Sequence, residues 1–181
     1  MSDLNFFLIS VKIILPYLYK KTPMALSISQ TAPDFTLFNS EIKKVSLSDF
    51  KDIKNVLLLF FPLAFTNTCT KELCDVRDDI ARYNIANAQV LGISVDSVFT
   101  LAKYKEEQGY NFPLLSDFNK DVSTKYETIY TSFTDMMMNG VSKRSAFIID
   151  KKGIIQYVEV LEIAGDLPNF DAINLKLESL S

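Results

Sequence analysis

From Ser27 onward the apolar positions repeat first with period two and then with a period near 3.6, and the mixture predicts one α/β domain. Asp34–Phe38 and Lys44–Leu47 alternate as short strands about a turn at Asn39-Ser40, an N-terminal β-hairpin. Asn55–Phe61 has no polar side chain after Asn55, which is the pattern of a central strand covered on both faces. Val90–Val95 reads as a second buried strand. The helical pattern between these two strands is long enough for a right-handed crossover, so together they predict a βαβ unit. Thr100–Gln108 reads as a helix, Leu114–Ser116 as a short strand and Lys120–Glu127 as a short helix. Ser145–Asp150 and Ile154–Val160 predict a hairpin closed by Lys151-Lys152-Gly153, where glycine supplies the positive φ a tight turn needs. Phe170–Leu180 closes the chain as a helix. Residues 24–181 are therefore expected to form one domain.

Residues 1–23 stand outside this pattern. Leu4, Phe6–Ile9, Val11 and Ile13–Leu15 make an apolar stretch that ends at Pro16 and Lys20-Lys21. A signal segment would begin with positive charge and end at small residues, whereas here Asp3 carries the opposite sign and Lys12 interrupts the run. The stretch is also short for a bilayer span. Three readings stay open: a dispensable extension with the working protein starting near Met24, a signal or anchor, and a docked helix.

Composition narrows the chemistry. With 181 residues, 48% hydrophobic and 23% charged, the chain can bury a sizeable core as an ordinary globular domain. A net charge of -3 gives no electrostatic reason to bind nucleic acid or an anionic membrane. The absence of histidine removes the commonest general base and metal ligand, and with it Cys-His and Ser-His catalysis. Two cysteines without histidine fall short of a structural zinc site, so neither metal nor cofactor is expected. Cysteines only five positions apart are not the disulfide framework of a small secreted domain, and a reducing, cytoplasmic compartment is the expectation, with export or anchoring left open by residues 1–23.

Both cysteines lie in the helix predicted after Pro62. At roughly 100° per residue, Cys69, Leu73, Val76, Ile80 and Tyr83 share a stripe that should face the core, with Lys71, Asp75, Asp78 and Arg82 around the other side. Cys74 projects roughly 140° away from Cys69, near Asp78 and Ala81 on the polar side, so the two thiols point apart. Their α-carbons in an intact helix would be roughly 8.5 Å apart, beyond the reach of a disulfide. A bond between them requires the helix to unwind. Cys74 is either a small residue filling space or a second redox thiol. Cys69 stands where a strand hands over to a helix, a place where backbone amides and the helix dipole favour a thiolate.

Pro62-x-x-x-Thr66-x-x-Cys69, with Glu72 three residues later, resembles the active-site motif of the peroxiredoxins. Arg144–Asp150 is similar to that family's arginine-led strand, and Ala32–Phe35 and Gly92–Asp96 also match, so the resemblance covers roughly Ser27 to Val160. It implies a thioredoxin-like fold, a central mixed sheet flanked by helices. It also implies a thiol-dependent peroxidase that takes hydrogen peroxide and organic hydroperoxides.

The chemistry then assigns roles. Cys69 would be the nucleophile, stabilised by the first helical turn and by the permanent charge of Arg144. Thr66 supplies a hydroxyl that can accept from a peroxide proton or donate to an oxygen, and Pro62 shapes the loop and shields the sulfur from water. Glu72, by resemblance, orients Arg144. Taken singly, Pro62 could end a strand, Thr66 cap a helix and Arg144 be one surface cation among many. Their joint spacing is what points to a site.

Two subgroups remain open. The Cys-x-x-x-x-Cys spacing resembles the bacterioferritin-comigratory or Q type, in which Cys74 would resolve a Cys69 sulfenic acid and thioredoxin would recycle the disulfide. Phe60–Thr66 resembles the alkyl hydroperoxide reductase E type, many of which use one cysteine and an external thiol. A monomer or homodimer is expected. Competing classes are a disulfide oxidoreductase, which needs Cys-x-x-Cys; a glutathione-peroxidase-like enzyme, whose site would be expected to contain the tryptophan this chain lacks; and a non-catalytic interaction protein on the same fold.

Overall fold

Alternation along the central strands decides the architecture. In a computed structural model describing residues 26–181, β3 (Asn55–Phe60) is buried throughout. Its side chains sort by parity: Leu57 and Leu59 enter one core and Val56, Leu58 and Phe60 the other, which is how one strand serves two layers. β6 (Ser145–Ile149) does the same, Ala146 and Ile148 facing the first core and Phe147 and Ile149 the second.

β3 runs parallel to β4 (Ala88–Ser94) and antiparallel to β6, so the sheet is mixed, as expected. The remaining strands are β1 (Thr36–Asn39), β2 (Lys44–Ser46), β5 (Leu114–Ser116) and β7 (Ile155–Val160), in the order β2-β1-β5-β4-β3-β6-β7. The N-terminal hairpin is present and joins the sheet through β1 against β5. Asn39 accepts at Oδ1 from the amides of Glu41 and Lys43, an Asx-type turn that closes the hairpin. The β6–β7 hairpin turns at Gly153, whose φ is +81°.

The first core lies under α1 (Asn67–Asp78), α2 (Ile80–Ile85), α3 (Val98–Gln108) and α5 (Phe170–Glu178), and the second under α4 (Asp121–Lys125) and the turn Leu47–Phe50. One helix was expected between Pro62 and Tyr83, and the structure corrects this: the chain breaks at Asp79 into α1 and α2. Adjacent Asp78 and Asp79 are poor helix formers and place negative charge at the C-terminal end of the dipole. The break still returns Tyr83 to the core, while Ile80 is half-buried. At Gly92 a Cβ would come within 2.8 Å of Leu114, so the absent side chain is what lets β4 and β5 close under α3. The expectation for residues 1–23 lies outside the described residues. Among the described residues, no helix is long and apolar enough to cross a membrane.

Candidate active site

β3 delivers the chain to buried Pro62, and the loop that follows must turn sharply to start α1 at Asn67. Two features hold that turn. Asp96, two residues past β4, accepts at Oδ2 from the Ala64 amide and the Ser94 hydroxyl, each at 2.8 Å. Phe65 adopts φ +64°, a left-handed conformation costly for a bulky side chain, and its ring lies against Tyr104 at 4.7 Å between centroids. A strained residue held by its neighbours at the entry to a functional helix is an observed outlier that points to a site.

The first turn of α1 opens on a pocket of roughly 250 Å3 lined by Pro62, Thr66, Cys69 and Arg144, with Phe133, Ala164 and Gly165 across the mouth. Arg144 immediately precedes β6 and is 1% exposed. Its Nη2 donates to Cys69 Sγ at 3.3 Å, its Nη1 donates to Glu72 Oε2, and its Nε and Nη2 donate to the Ala164 carbonyl at 3.2 and 2.9 Å. The guanidinium is therefore locked on two sides and presents one edge to the sulfur. Thr66 occupies the N-cap position with extended backbone, but its hydroxyl donates to the Leu63 carbonyl at 2.9 Å and makes no cap bond. With its proton committed, Thr66 Oγ1 faces the pocket as an acceptor.

Burial pushes the Glu72 carboxyl up from 4.5 to about 7, against the pull of Arg144. Burial opposes charge on Arg144 too, but Glu72 and then Cys69 outweigh it and raise the guanidinium further. A raised carboxyl binds its proton more tightly in the folded chain than in the unfolded one. Its contribution to stability is thus full below about pH 4.5 and lost as the pH rises through about 7. Glu72→Gln, neutral at every pH, should flatten that decline in denaturant unfolding series, and an unchanged slope would assign the pH dependence to other groups.

The AhpC/TSA family pattern matches residues 28–158. Alkyl hydroperoxide reductase E of Mycobacterium tuberculosis is 38% identical over 137 residues, covering 75% of this chain and 86% of that protein. The chain belongs to the AhpC/TSA family. It is a peroxiredoxin, a thiol-dependent peroxidase acting on a peroxide with a thiol reductant. A chloroplastic 2-cysteine peroxiredoxin of Chattonella marina var. antiqua is 35% identical over 147 residues, 76% of this chain and 72% of that protein. Among solved structures, peroxidoxin BcpB of Mycobacterium tuberculosis superposes with TM-score 0.75 at 29% identity, covering 86% of this chain and 99% of that one. Peroxiredoxin Q of Xanthomonas campestris shares the fold, with TM-score 0.70 at 24% identity over 80% of this chain and 90% of that one.

Of the six residues singled out in the sequence, the pocket brings together Pro62, Thr66, Cys69 and Arg144, with Glu72 buried behind Arg144. Cys74 stands apart from it, but its surroundings differ from the expectation. It is half-buried rather than on the polar side, packed against the first core, with Sγ 3.9 Å from Gln108 Oε1. The C-terminal end of α3 covers that flank of α1, which a helical wheel drawn against one sheet does not register. Lys71, Asp75, Asp78 and Arg82 do face water. The sequence reading missed Ala164, Phe133, Asp96 and Tyr104. Asp96 had a signal, an acidic residue ending a buried strand, whereas the Ala164 contribution is a backbone carbonyl that any residue type could make.

Proposed function

We propose that this peroxiredoxin reduces hydrogen peroxide and organic hydroperoxides through Cys69 as the peroxidatic thiolate. The observation that carries the reading is the buried guanidinium of Arg144 donating to Cys69 Sγ at 3.3 Å inside a pocket open to small molecules. The sulfur attacks the terminal oxygen of a hydroperoxide; the O–O bond breaks, an S–O bond forms, Cys69 becomes a sulfenic acid, and the alkoxide or hydroxide leaves and takes a proton from solvent. Thr66 Oγ1 accepts a hydrogen bond from the peroxide O–H, which stays on the transferred oxygen, and Arg144 meets charge on the attacking sulfur and on the departing oxygen. Pro62 keeps an N–H and its water away from the thiolate.

Cys74 resolves the product. Its sulfur displaces the sulfenic oxygen, the S–O bond breaks as an S–S bond forms, and the hydroxyl leaves as water with the Cys74 proton. Thioredoxin or another dithiol then reduces the disulfide, which fits a reducing, cytoplasmic setting. The protein works as a monomer or homodimer. The alkyl hydroperoxide reductase E relative supports organic hydroperoxides as substrates. The rival reading is a one-cysteine cycle with an external thiol.

The two cycles separate on Cys74→Ser. Wild type treated with one equivalent of hydrogen peroxide should lose two protons in mass under non-reducing conditions, with both thiols blocked to alkylation. Cys74→Ser should stop at the sulfenic acid and lose turnover with thioredoxin while keeping a single-turnover burst. Full thioredoxin-dependent turnover by the mutant would sink the two-cysteine cycle.

A further inference from the structure

The proposal starts at the far end of α1 and rests on the reading of Cys74 given above. Resolution needs α1 to unwind between Cys69 and Cys74, since an intact helix holds their α-carbons roughly 8.5 Å apart. What resists that opening can be read from the contacts of the last two turns. Arg77 Nη1 donates to the backbone carbonyl of Gln108, the last residue of α3. That carbonyl is one of the orphan acceptors every helix leaves at its C-terminus, and α3 stops there because Gly109 adopts φ +64°. Asn111, just beyond, returns the tie: its Nδ2 donates to the Arg77 carbonyl at 3.1 Å. The side chain of the same Gln108 meets Cys74 Sγ at 3.9 Å. Closer to Cys69, only Thr70 reaches α3 through a polar bond, its hydroxyl 2.9 Å from Tyr104 Oη.

The polar ties between the Cys74 half of α1 and its neighbour thus converge on the C-cap of α3. We propose that Arg77, seconded by Asn111, is a latch that holds the C-terminal turns of α1 against α3 and sets how fast Cys74 reaches an oxidised Cys69. Arg77 is a positioning residue. It touches neither peroxide nor Cys69, and it acts by stabilising the closed helix in which the sulfenic acid waits. While the latch holds, a second peroxide can carry Cys69 from sulfenic to sulfinic acid: its O–O bond breaks, one oxygen forms a new S–O bond, and the other leaves as water or an alcohol. The latch therefore divides the sulfenic acid between disulfide and overoxidation.

The test pulses reduced protein with hydrogen peroxide, quenches by alkylation over time, and counts sulfenic acid, disulfide and sulfinic acid by intact mass. Disulfide formation is timed from the sulfenic acid present in the same samples. A part-buried bond from a charged donor to a carbonyl should slow opening by roughly tenfold, so Arg77→Ala should speed the sulfenic-to-disulfide step by about that factor. It should also need several-fold more peroxide to reach a given sulfinic fraction. Arg77→Lys, which keeps a charged donor, should restore part of the delay. Asn111→Ala, on another element, should shift both readouts in the same direction by about twofold and serves if Arg77→Ala does not fold. Amide hydrogen exchange of residues 73–79 reads the latch with no thiol chemistry. Unchanged exchange and an unchanged disulfide rate in both variants would overturn the latch. Faster exchange with no disulfide in any protein, wild type included, would overturn the Cys74 reading and with it the role of the latch in resolution.

Discussion

Arg144→Met should slow the reaction of Cys69 with peroxide by about 10²–10³-fold, the range for removing one fixed donor from a site where charge develops. The side chain donates directly to Cys69 Sγ and is held there by Glu72 and the Ala164 carbonyl, so no neighbouring group can substitute for it. The same change should destabilise the fold by about 3–5 kcal/mol, because it leaves the Glu72 carboxylate buried and unpaired. The two effects can be separated. Burial pushes Glu72 up to about 7 even against the pull of Arg144, so without that pull the orphaned carboxyl holds its proton more tightly still, and the destabilisation should shrink as the pH falls. The double variant Glu72→Gln, Arg144→Met should recover most of the stability and none of the rate. Single-turnover peroxide consumption and denaturant unfolding on the same preparations give both numbers. If the double variant regained the rate as well, Arg144 would be serving the fold and not the sulfur.

That pair also shows what was legible in the chain and why. The unbroken apolar run of β3, the crossover to β4 and the β6–β7 hairpin follow from period and turn chemistry, which are local. Pro62, Thr66 and Cys69 stand out because their spacing is tied to one strand-to-helix junction, and Arg144 because Arg144–Asp150 is similar to the arginine-led strand of the peroxiredoxins. Details set by distant neighbours do not. The flank of α1 that carries Cys74 looked polar because the sheet was its only assumed neighbour, and α3 arrives on that side from 34 residues away in sequence. The hydroxyl of Thr66 could have donated or accepted, and only its bond to Leu63 decides that it accepts. The contact between Arg144 and Ala164 passes through main chain, where side-chain identity carries no trace.

Cys69→Ser is expected to abolish peroxide turnover altogether, and the reason is sharper than the loss of a thiol. Cys74 remains in the variant, on the same helix, as a second sulfur of identical intrinsic chemistry. It is half-buried beside Gln108, while Pro62, Thr66 and Arg144 surround Cys69. Beside Cys74 no guanidinium stands where Arg144 stands beside Cys69 to steady a departing oxygen. Cys69→Ser thus asks whether sulfur suffices or whether its surroundings do the catalysis. The serine is nearly isosteric and its hydroxyl can still accept from Arg144, so the fold should hold and thermal unfolding should stay close to wild type. A folded variant with no turnover, whose Cys74 reacts with peroxide no faster than a free thiol, assigns the chemistry to the pocket. Turnover retained by that variant would move the nucleophile to Cys74, and a wild type as inactive as the variant would leave the chain a binding protein built on a peroxidase fold.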